Sequence, residues 1–105
     1  MRRRKLPDLL EETDVQTEEE VDEPPMYRVI LHNDDYTPRA FVMQVLMVVF
    51  SKTEEDATQL MWRVHKNGTG LCGVYTYEIA ESKVGAVRDL AKEYGFPLRT
   101  TMEPE

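Results

Sequence analysis

"VILHNDDYTPRAF", residues 29–41, joins three patterns: the end of an apolar alternation, three polar residues in succession, and a helix start. Upstream, "MYRVILH" (26–32) sets Tyr27, Val29 and Leu31 against Arg28 and His32, the period of a strand. Downstream, Thr37 offers an oxygen to cap free backbone N–H groups, and Pro38 suits the first helical position. Phe41, Val42, Val45, Leu46 and Val49 then recur at three and four residues, an apolar helical face through about Phe50. A plain turn needs one residue of the Asn or Asp kind. Asn33, Asp34 and Asp35 together at a strand-to-helix junction fit a small recognition site.

Working outward, the remaining periodicities complete a β-α-α-β-α-β order. Thr53 with Asp56 approximates a capping box, and Ala57, Leu60, Met61 and Val64 form the stripe of a second helix that Asn67-Gly68 ends. "GLCGVYT" (70–76) reads as a short strand. Thr76 is then placed to cap a third helix, whose stripe is Ile79, Ala80, Val84, Val87, Leu90, Ala91 and Tyr94, with Gly95 and Pro97 behind it. "LRTTM" (98–102) is a last strand. A small three-stranded antiparallel sheet packed against three helices follows, an α+β domain over residues 26–105.

Residues 1–25 read differently. They hold four basic and nine acidic side chains and no aromatic residue, so they cannot bury enough surface to offset the entropy of ordering them. A flexible acidic N-terminal extension is expected, either a solubilising leader or an arm that another protein grips. Pro24-Pro25 marks its border. The whole chain, 105 residues at a net charge of −7, has room for one modest core and argues against a nucleic-acid partner. One cysteine, Cys72, excludes an intramolecular disulfide and reads as a small strand residue. No apolar run approaches the roughly 20 residues needed to cross a bilayer, and "MRRRK" lacks the apolar segment of a signal peptide. A cytoplasmic protein, away from membranes, is expected.

The chemistry lies in what the loop and second helix offer together. Met61 and His65, four apart, share a helix face with Val64 beside them. An amide, carboxylates and a neutral imidazole present acceptors for a donor-rich cation such as an ammonium group, and an apolar wall suits a large side chain. A small cationic and apolar ligand is the class this implies; a free protein N-terminus with a bulky first residue has both features. Two other readings compete. His32, Asp34, Asp35 and His65 could bind a divalent metal in an enzyme, although their spacing matches no recognisable motif. Alternatively, the loop is only a cap and His65 only a helix-end residue favoured by the dipole. Trp62, about 100° round the helix from Met61, reads as core or half-buried.

"YRVILHNDDYTPRAFV", "ATQLMWRVH", "GLCGVYTYEIAESKV" and "YGFPLRTTME" strongly resemble the ClpS adaptor family of the bacterial N-degron pathway, over residues 26–105. The resemblance implies a non-catalytic, cofactor-free and metal-free adaptor, expected to be a monomer. It would recognise substrates beginning with Leu, Phe, Tyr or Trp and hand them to the N-terminal domain of a ClpA-type AAA+ unfoldase for degradation by ClpP. By the same resemblance Asn33, Asp34 and His65 bind the substrate α-amino group, and Asp35 and Thr37 support the loop and meet the first peptide units. Val42, Met61, Val64 and Leu98 line the side-chain pocket, and Glu78 and Lys83 touch the unfoldase. The acidic segment matches the family's N-terminal extension, which serves delivery.

One position departs from the pattern. Where the family commonly has Met after Thr-Pro, helping to exclude β-branched N-terminal residues, this chain has Arg39. Its stem can cover apolar surface, but burying its guanidinium without a partner is costly. Arg39 is therefore expected at the pocket mouth, turned outward and leaving that mouth wider.

Overall fold

The computed structural model describes residues 23–105. Most of the expected N-terminal extension, residues 1–22, lies outside the described residues. The elements follow the expected order: β1 (Met26–His32), α1 (Arg39–Val48), α2 (Glu54–Asn67), β2 (Thr69–Thr76), α3 (Tyr77–Tyr94) and β3 (Arg99–Pro104). The strands form one antiparallel sheet in the order β2-β1-β3.

In β1, the alternation reads directly as burial. Val29 and Leu31 are fully buried towards the helices, while Arg28 is exposed on the opposite face. Pairing with β2 slips by one residue between Val29 and Ile30, whose partners are Gly73 and Leu71. Cys72 is the extra residue of this bulge, and its side chain is buried in the core. Burial pushes its thiol up to about 12, which makes it inert. Phe41, Val42, Val45 and Leu46 of α1 and Ala57, Leu60, Met61 and Val64 of α2 complete the core with Ala80, Val87 and Ala91 of α3.

Capping separates expectation from outcome at three helix starts. The Thr53 hydroxyl accepts the Asp56 N–H at 3.1 Å, as its spacing predicts. Helix α1 begins one residue later than expected, with Pro38 at the cap position and no side-chain cap. Thr37 has a better acceptor for its hydroxyl in Asp34, described below. Thr76 occupies the cap position of α3 but its side chain caps nothing. Helix α3 also buries a narrower stripe than its pattern implies. Ile79 and Tyr94 are about half exposed, because Ala80, Val87 and Ala91 point straight at the sheet and leave their neighbours on the flanks. Tyr94 instead packs its ring on Phe41, 5.4 Å between centroids.

Candidate functional site

Two local closures bring the loop to the end of α2. Gly68 takes the left-handed conformation (φ 92°) that ends α2, and its N–H donates to the Val64 carbonyl at 2.8 Å. The Gly68 carbonyl in turn accepts the Asn33 N–H at 2.9 Å. The first loop residue is thereby tied to the turn just beyond His65. Sequence separation between Asn33 and His65 is thirty-two positions, yet the β1–β2 ladder and this bond make them neighbours in one pocket.

The loop itself is organised by Asp34. Its Oδ1 accepts the N–H groups of Tyr36 (2.8 Å) and Thr37 (2.7 Å), and its Oδ2 accepts the Thr37 hydroxyl (2.7 Å). Burial pulls the Asp34 carboxyl upward, but these three hydrogen bonds outweigh it and hold the carboxyl below its usual range. Asp34 therefore carries its charge at neutral pH. Asp35 stands exposed beside it.

All ten residues expected around the ligand line one pocket of about 380 Å³. Asn33, Asp34, Asp35 and Thr37 form its polar edge, Val42, Met61, Val64 and Leu98 its apolar wall, and His65 and Arg39 complete the border. That volume lies within the roughly 300–1,000 Å³ of small-ligand clefts. His32, Tyr36 and Pro38 also line it, and sequence reasoning had given His32 only a metal role. The His32 Nε2 lies 2.7 Å from the Thr101 hydroxyl. Burial and the nearby Arg99 guanidinium lower its pKa, partly offset by Glu103. The four metal candidates share the pocket, but among the described residues no three His, Cys, Asp or Glu side chains are grouped to hold an ion.

Trp62 is half-buried, as its place on the helix predicts. It is 45% exposed, on the outer face of α2, and its ring meets two site residues. The Arg39 guanidinium lies 4.8 Å from the Trp62 ring centroid, and the His65 ring stands edge-on to it at 5.7 Å. The outward turn of Arg39 thus has an aromatic destination, a contact typically worth about 0.5–1 kcal/mol at exposed sites. A Trp on a helix face otherwise made of Thr58, Arg63 and Lys66 was the available signal. Glu78 and Lys83 lie apart from the pocket on α3. Glu78 is exposed in its first turn, and the Lys83 ammonium donates to the Val49 carbonyl at 2.7 Å.

Residues 22–101 match the family described as ATP-dependent Clp protease adaptor protein ClpS. The chain belongs to the ClpS family. Adapter proteins of that name are similar to it along most of their length. That of Desulforapulum autotrophicum is 52% identical over 99 residues, covering 94% of this chain and 95% of the relative. That of Maricaulis maris is 56% identical over 82 residues, covering 78% and 75%. Among solved structures, Agrobacterium tumefaciens ClpS2 bound to L-phenylalaninamide superimposes with a TM-score of 0.76 at 46% identity, covering 79% of this chain and all of that one. The β-α-α-β-α-β arrangement is the ClpS fold, and the pocket between loop 33–37 and α2 belongs to a Clp protease adaptor.

Proposed function

We propose that this ClpS-family chain is a non-catalytic cytoplasmic adaptor that binds proteins beginning with Leu, Phe, Tyr or Trp. It delivers them to a ClpA-type AAA+ unfoldase for degradation by ClpP. One observation carries the reading: an amide, an ionised carboxylate and an imidazole border the same pocket as four buried apolar side chains. In this reading Asn33, Asp34 and His65 take the α-ammonium of the substrate. Asp35 and Thr37 support the loop and the first peptide units, and Val42, Met61, Val64 and Leu98 hold the first side chain. L-phenylalaninamide, bound by the A. tumefaciens relative, combines a free α-amino group with a benzyl side chain. That is the chemistry this pocket complements.

Delivery needs a second surface. Glu78 and Lys83 flank Ile79 on α3, where Ile79 (49%) and Val48 (66%) expose apolar surface along one groove. This face is assigned to the N-terminal domain of the unfoldase, with the chain acting as a monomer. Titration with a Phe-initiated peptide and its N-acetylated counterpart tests the substrate reading; binding that ignores acetylation would refute it.

A further inference from the structure

We infer that Arg39 reads the second residue of the substrate and favours a carboxylate side chain there. This rests on the adaptor reading and refines which N-termini the site prefers. Arg39 is the first residue of α1, lines the ligand pocket, and is exposed. Its guanidinium lies over the Trp62 ring rather than against a carboxylate, and among the described residues no acid stands within ion-pairing distance of it. Stacking uses the face of the guanidinium. Its five N–H donors lie in the plane and point outward, in the fork that matches a carboxylate.

The route of the ligand brings such a group close. With the first side chain against Val42, Met61, Val64 and Leu98, which are buried to at least nine-tenths, the pocket floor is closed. The peptide must leave over the rim, and part of that rim is Arg39 and His65, both in contact with the Trp62 ring behind them. Consecutive Cα atoms are about 3.8 Å apart, so the second side chain starts within a few ångströms of the first. Among the described residues, Arg39 is the only lysine or arginine lining the pocket. Asp34 and Asp35 oppose an incoming carboxylate, but the ligand's own ammonium faces Asp34 and offsets one of these charges, leaving Arg39 to offset the other. The Arg39 guanidinium, held over the Trp62 ring, gives the rim a cationic end. A basic second residue meets this cation unfavourably.

The test uses peptides identical except for Glu, Gln or Lys behind an N-terminal Phe, bound to the full chain at low salt. Glu is expected to bind about two- to five-fold more tightly than Gln, the range of an exposed ion pair. Lys should bind more weakly than either. Added salt should compress the series. Arg39→Gln should bring the Glu-to-Gln ratio close to one, and Arg39→Glu should reverse the order, a readout that a purely structural role for Arg39 would leave alone. Each ratio is taken within one variant, so a general loss of affinity does not disturb it. Tight binding of the Gln peptide with a flat series, or an order that Arg39→Glu leaves unchanged, overturns this inference alone. Failure of every peptide to bind better than its acetylated form overturns the adaptor reading, and the inference with it.

Discussion

Thr37 gives both of its donors to Asp34: its N–H reaches Oδ1 and its hydroxyl reaches Oδ2, each at 2.7 Å. The same carboxylate thus shapes the loop and supplies negative charge to the pocket. These two tasks separate by substitution. In Asp34→Asn the amide oxygen can still accept the Tyr36 and Thr37 N–H groups, and the Thr37 hydroxyl can rotate to accept from the amide. Only the charge is lost.

Asp34→Asn should therefore weaken binding of a Phe-initiated peptide by about 1 kcal/mol, roughly five-fold, allowing for solvent screening at this partly exposed site. Asp34→Ala should weaken it further, since the loop loses its acceptor as well. Fluorescence anisotropy would measure both, and equal affinities for Asn, Ala and parent would remove Asp34 from the site. The lowered carboxyl also gives a sign for acid stability. Its contribution is fully present above the unfolded value of about 3.9 and is lost as pH falls through the folded value. Between those two values the parent's melting temperature should drop more steeply as pH falls than that of Asp34→Asn.

Gly70 couples the sheet to the pocket wall. A Cβ there would stand 2.6 Å from Val64 Cγ2 and 2.8 Å from Leu60 Cδ1. Val64 is buried and stiff at χ1, so it cannot swing aside freely. Gly70→Ala should cost about 1–3 kcal/mol of stability through overpacking and also reduce peptide affinity by displacing Val64. A thermal melt superimposable on the parent's would show that the strand yields instead.

Arg39→Met replaces a guanidinium laid on Trp62 by an apolar side chain at the mouth. Discrimination against N-terminal Ile and Val relative to Leu should sharpen, within the roughly 1–3 kcal/mol that one methyl group is worth in a pocket. Identical Leu-to-Ile affinity ratios in parent and variant would show that Arg39 does not widen the mouth.

Removal of residues 1–22 should leave peptide affinity and melting temperature close to those of the full chain while reducing substrate degradation by the reconstituted protease. The composition of that segment gives it little to bury. A truncated chain that melts much earlier, or stops binding peptide, would make the segment part of the fold.

Local signals were readable where one residue decides the outcome alone. Gly68 and Gly95 end α2 and α3 in left-handed conformations because no Cβ opposes them, and Thr53 caps α2 because nothing nearby competes for its oxygen. Thr37 had such a competitor. Asp34, three positions earlier, takes its hydroxyl, and spacing by itself does not rank a side-chain acceptor against the helix start. The bulge at Cys72 was hidden because an extra apolar residue between apolar neighbours looks like continuation of the strand. The contact made by the Trp62 ring was hidden for a related reason. Helical period says which residues face the core, and hydrophobicity says they prefer it, but the partner on the outer face, Arg39, lies on another helix. The pocket residues were found through the family resemblance; composition and period reached only a loop of acceptors near an apolar wall.

The most direct measurement is the affinity of the chain for one Phe-initiated peptide, with and without an N-acetyl group, from mildly acidic to alkaline pH. A free α-amino group has a pKa of about 7.7–8.0, so the ligand is a cation at neutral pH and loses its charge above that range. Affinity should hold through neutrality and fall as the pH rises past about 8. The acetylated peptide, without charge and with added bulk, should not bind at any of these pH values. Equal binding of the two peptides, or an affinity flat across the whole range, would contradict an ammonium clamp and leave Asn33, Asp34 and Asp35 as a loop cap.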